Sequence, residues 1–95
     1  MKLVIGKRYR FKQEYREEYE QYGGHIEMPH GFVDEMYPLA TKKGVELEKT
    51  IRIHNKGTED ENALLDFKEF PDTWCYPLRY LEQVPSVDVV LCQLK

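Results

Sequence analysis

"YRFKQEYREEYEQYGG", Tyr9 to Gly24, sets four tyrosines among charged residues and stops on two glycines. Read as extended chain, this stretch would put Gln13, Glu17 and Gln21 on the same face as Tyr15 and Tyr19. Helical winding instead gathers Phe11, Tyr15, Tyr19 and Tyr22 into a stripe about 80° wide, the pattern of an amphipathic helix. The spacing therefore predicts a helix over about residues 12–22, laid ring-side down on a small sheet. Gly23 and Gly24 supply the left-handed residue that commonly ends a helix. Lys12 and Arg16 sit among the glutamates of this stretch, where a spacing of three or four, as between Arg16 and Glu20, allows weak ion pairs. On this reading the rings belong to the core; the competing reading leaves them exposed to stack on a ligand.

Upstream, "KLVIGKRYRF" places Leu3, Ile5, Tyr9 and Phe11 on one parity and Val4, Arg8 and Arg10 on the other, which predicts a first strand with an apolar odd face and a bulge or close approach at Gly6. Downstream, "HIEMPHGFVDEMYPL" reads as a loop restricted by Pro29 and Pro38. A short helical turn follows near 32–36, with Phe32, Val33 and Met36 pointing inward. From Val45 the period changes to two. Val45, Leu47, Ile51 and Ile53 share one side, Lys49 interrupts it, and a bend falls near Glu48 and Lys49. "NKGTEDEN" is a polar hairpin connection, and "ALLDFKEF" returns as a strand with Leu65 and Phe67 on one face. "PDTWCYPLRYLEQV" gives a strand carrying Trp74 and Tyr76, then a helical turn over 77–81 with Leu78 and Leu81 facing in. The tail "SVDVVLCQL" is apolar on both parities, as a last strand or a segment covered by a partner would be.

A chain of 95 residues is long enough for one domain and too short for two independent cores, so residues 1–95 are expected to form a single unit. Aromatic residues at 13% supply burial that the modest number of aliphatics cannot. The formal charge of −3, from 14 basic and 17 acidic side chains, is too small to mark a nucleic-acid binder or a DNA mimic by itself. Cys75 and Cys92 sit in apolar contexts without zinc or CxxC spacing, which predicts reduced thiols. With no signal-like or membrane-length apolar run in the sequence, the expected compartment is cytoplasmic.

Two stretches carry a resemblance. "GFVDEMYPLATKKG" followed by an alternating strand, and then Trp74 and "YPLRYLEQV", resemble a pattern seen in small SH3-like barrel proteins encoded by tailed bacteriophages. There a "GKRYRF"-type strand leads through a long excursion to an aromatic, acidic and methionine turn, and the chain finishes on a tryptophan strand with a short helical turn. The resemblance implies an α+β, mainly β fold: a small SH3-like antiparallel barrel with an inserted helix. It also implies a non-enzymatic interaction protein, a phage accessory factor in the host cytoplasm that binds a host or phage protein.

SH3-like folds often line a ligand groove with aromatics, so the candidate protein-binding residues are Trp74, Tyr76 and Tyr80, flanked by Glu59 and Asp60 in the acidic connection. The structural alternative makes Trp74 a cap on the core. A second reading, a nucleic-acid-associated barrel, uses the basic run Lys7, Arg8, Arg10 and Lys12 on phosphates. A small enzyme comes third. Asp34 with Glu35, or Asp66 with Glu69, could pair as acid and base only if buried in a cleft, and His25, His30 and His54 match no compact metal motif. No catalytic residue, metal ligand or cofactor is assigned. A homodimer through the C-terminal strand would cover the apolar tail.

Overall fold

The computed structural model describes residues 2–28, 31–33, 36–58, 61–70 and 73–85. Among these residues, seven strands and one α-helix follow in the order β1 (Arg8–Phe11), α1 (Gln13–Gln21), β2 (Ile26–Met28), β3 (Gly31–Val33), β4 (Val45–His54), β5 (Asn62–Phe67), β6 (Trp74–Pro77) and β7 (Leu81–Gln83). Short 3₁₀ turns at Tyr37–Ala40 and Leu78–Tyr80 precede β4 and β7. Five strands form one antiparallel sheet in the order β6-β5-β4-β1-β7, and β2 with β3 make a separate hairpin. The fold is thus α+β and mainly β. Among the described residues β6 and β7 are edges that do not pair with each other, so the sheet stays open and does not close into a barrel.

β1 sits between β4 and β7, and its two odd side chains, Tyr9 and Phe11, are wholly buried. With Val45, Leu47, Ala63, Leu65, Phe67, Tyr76, Leu78 and Leu81 they form one apolar core, to which each large side chain contributes about 1.5–3 kcal/mol by leaving water. The odd face does not extend upstream as the alternation predicts. A turn at Ile5 and Gly6, with Gly6 at φ +89°, breaks the strand, and Ile5 is 56% exposed.

The helix forms where the ring stripe places it, over nine residues. Its end is a Schellman arrangement: the Gly24 N–H donates to the Tyr19 carbonyl at 2.9 Å and the Gly23 N–H to the Glu20 carbonyl at 3.3 Å, both glycines having positive φ. Tyr15 and Tyr19 pack against the core, while Tyr22, at the C-cap, is 57% exposed. The stripe is therefore core on its first rings and solvent-facing on its last.

Two further expectations need correction. The helical turn expected near 32–36 does not include Phe32 and Val33: Gly31–Val33 pairs with Ile26–Met28 as β3 of a hairpin, and a helical turn falls at Tyr37–Ala40, where Pro38 fixes φ at its start. Met36 and Leu39 are the residues buried there. In β4, the pairing shifts between Leu47 and Lys49 and again between Thr50 and Arg52. Each shift inserts an extra residue and flips the parity, so Thr50 and Ile53 face Leu65 and Ala63, and Ile51 is left 55% exposed. The tail from Ser86, with Cys92 and the expected last strand, lies outside the described residues, and so do Asp34, Glu35 and His30.

Candidate functional site

The aromatic candidates do not share one open surface. Tyr76 on β6 pairs with Ala63, is fully buried, and meets Phe67 edge-on at 5.4 Å between centroids. Tyr80, in the 3₁₀ turn before β7, is buried beneath α1, its ring stacked on Tyr15 at 4.1 Å with the Arg79 guanidinium 5.3 Å from its centroid. Burial and Glu14's negative charge raise the Tyr15 hydroxyl's pKa above its usual 10.0, burial contributing most. Trp74 alone of the three is open to solvent, 36% exposed at the start of edge strand β6. Glu59 and Asp60 lie outside the described residues.

The basic run is largely turned inward. Arg8 donates through Nε to the Lys43 carbonyl at 2.9 Å and through Nη2 to the Gly44 carbonyl at 2.6 Å, and it pairs with Glu69 at 3.0 Å. Arg10 is buried, donating through Nε to Glu82 Oε1 at 3.0 Å and through Nη1 to the Lys42 carbonyl at 2.8 Å. Arg16 reaches the same Glu82 oxygen at 3.1 Å and the Phe11 carbonyl at 2.5 Å. Three guanidinium groups thus tie the chain after the Tyr37–Ala40 turn, and α1, to the sheet through charge-assisted bonds. Lys7 is exposed, and Lys12 is half-buried at the junction of β1 and α1.

What brings side chains together around open space is the excursion between β1 and β4. A cleft of about 660 Å³ lies between α1 and the Tyr37–Ala40 turn, with Glu17, Tyr19 and Glu20 on the helical wall and Tyr37, Thr41 and Lys42 opposite. Its second wall is built locally. The Thr41 hydroxyl donates to the Pro38 carbonyl at 2.9 Å and accepts from the Gly44 N–H at 3.1 Å, and Gly44 has a positive φ of +62°. A Cβ on Gly44 would overlap the Tyr9 carbonyl oxygen, so only glycine lets this turn lie on β1. Tyr37 stands 65% exposed on the rim. The sequence reading passed over Tyr37; the available signal was a ring next to Pro38 and between Met36 and Leu39, the two side chains that anchor the turn.

Catalytic groupings fare poorly. Asp66 accepts from the Thr73 hydroxyl, and Glu69 takes Arg8 and the Glu46 N–H, so this carboxylate pair is spent on structure. His25 is exposed after α1, His54 ends β4 opposite Asn62, and Cys75 faces Leu64 across the β5–β6 ladder. Among the described residues no three His, Cys, Asp or Glu side chains gather as a metal site, and no helix is long and apolar enough to cross a membrane. Comparison of the chain with protein-family models, curated proteins and solved structures finds no match.

Proposed function

We propose that this chain is an SH3-like interaction module, an accessory protein of the tailed-phage kind, that binds a protein partner through the cleft between α1 and the Tyr37–Ala40 turn. The order of elements supports the SH3-like part: an opening strand, a long excursion, a β4–β5–β6 meander ending on the tryptophan strand, a 3₁₀ turn and a last strand beside the first. The observation that carries the binding role is Tyr37, a large ring left open on the rim of an apolar and charged cleft, the kind of position that anchors a partner segment. Phosphate binding by the first strand is less favoured, because Arg8 and Arg10 already bond to protein acceptors.

The test is retention of a protein by immobilised wild type, Tyr37→Ala and Trp74→Ala, each checked for unchanged unfolding midpoint. A partner kept by wild type and Trp74→Ala but lost by Tyr37→Ala supports the cleft. Loss on Trp74→Ala alone moves the surface to the β6 edge. If nothing specific is retained by wild type, or nucleic acid is retained in a salt-sensitive way, the reading is wrong.

A further inference from the structure

The structure assigns α1 a second role: we infer that it is a latch that detaches from the sheet as a unit, pivoting between Lys12 and Gly23, and uncovers the Tyr80 ring. The helix is short and weakly supported from within. Nine residues make a helix that is marginal in water alone. Lys12 provides no side-chain cap, and the last turn holds Glu18 and Glu20 with no cation, opposing the helix dipole. None of its residues is buried.

Its attachment is correspondingly local. Tyr15 lies on Tyr80, and Arg16 bridges Glu82 and the Phe11 carbonyl. Tyr19 packs against the rim of the core and lies over Gly24. Both ends are fixed independently of these side chains: the Lys12 N–H donates to the Tyr80 carbonyl at 2.9 Å, and beyond the positive-φ glycines Gly23 and Gly24 the chain is held by the buried Ile26 of β2. A segment fixed at two hinges and docked by a few side chains opens at lower free energy than the strands it covers. Beneath it lies the buried Tyr80 ring, one residue before the β7 edge strand. Release would therefore expose that ring beside an edge strand and remove one wall of the cleft. The inference does not depend on what binds there.

Native-state amide hydrogen exchange tests it. The amides from Glu17 to Tyr22 are expected to exchange about a hundredfold or more faster than those of Ala63 to Phe67 while still showing protection, with a smaller denaturant dependence. Leu65→Val, in the sheet, should speed the β5 amides and leave the α1 amides unchanged, because α1 opens with the sheet intact. Arg16→Ala, and separately Tyr15→Leu, should each speed the α1 amides about tenfold, the size expected for losing one charge-assisted bond or ring contact. A glutamate-specific protease should nick α1 before any other segment, and faster in both variants. If Arg16→Ala does not fold, Arg16→Lys, which keeps the charge and loses the fork, carries the same expectation at smaller size. The latch is overturned if α1 and β5 amides share one exchange rate and denaturant slope, if Leu65→Val accelerates both equally, if neither Arg16→Ala nor Tyr15→Leu speeds the α1 amides, or if α1 amides are unprotected in the wild type.

Discussion

Rings in the sheet and rings in the excursion are the same kinds of side chain in opposite circumstances. Tyr9, Phe11, Phe67 and Tyr76 are wholly excluded from solvent on strands whose neighbours lie far away in sequence. Tyr15 and Tyr19 are half-buried, and Tyr22 and Tyr37 are mostly exposed, all within one connection between β1 and β4. Tyr9, Phe11 and Phe67 lie on strands paired on both sides, and Tyr76, though on edge strand β6, points into the core shared by the sheet, whereas a short helix offers one side only. The difference teaches that aromatic content alone does not locate a binding surface; the element beneath the ring decides.

The strongest way to break that comparison is to remove a sheet ring. Phe67→Ala should cost about 3–5 kcal/mol, measured by urea unfolding, because the cavity is enclosed by β4, β6 and Tyr76. A loss below about 1 kcal/mol would mean that this core is far looser than its burial indicates. Gly44→Ala comes next, at about 2–3 kcal/mol, since it combines a strained φ with overlap on the Tyr9 carbonyl. Unchanged stability there would show that the turn can lift from β1 at little cost.

Intermediate in size is the alkaline behaviour of Tyr15. Its folded pKa is raised, so the proton is held more tightly in the native state. The associated stability is complete below pH about 10 and is lost as pH rises through the folded value. Tyr15→Phe keeps the ring on Tyr80 and removes the titration, so the stability of wild type should fall more steeply above that pH than the variant's. Parallel curves would sink the assignment. Smallest of all, Tyr22→Ala should change stability by no more than about 0.5 kcal/mol, as an exposed C-cap ring does.

These sizes also explain which elements were legible in advance. The helix was readable because its rings recur at a helical period over a whole turn and more, and Gly23 and Gly24 mark its end. β5 alternates cleanly, and the turn at Leu78–Tyr80 follows from Pro77 and its two apolar neighbours. The β2–β3 hairpin was not readable, since three-residue strands have too few positions to establish a period. Nor was the fate of Arg10: an arginine in a basic run looks like a solvent-facing charge until its partner Glu82 arrives from the far end of the chain. The cleft between α1 and the Tyr37–Ala40 turn was not legible as a site. Its location depends on how α1 and the Tyr37 turn face each other, which no local pattern encodes.

The two shifts in β4 have a consequence for how this strand can change length. Removing Glu48 would let Leu47, Lys49 and Thr50 meet Phe67, Asp66 and Leu65 in an unbroken ladder, and removing Ile51 would do the same for Thr50, Arg52 and Ile53. β4 therefore carries two spare residues that can be deleted without turning any inward side chain to solvent. What such deletions would erase is coiling, because a strand loses local twist when its bulges go.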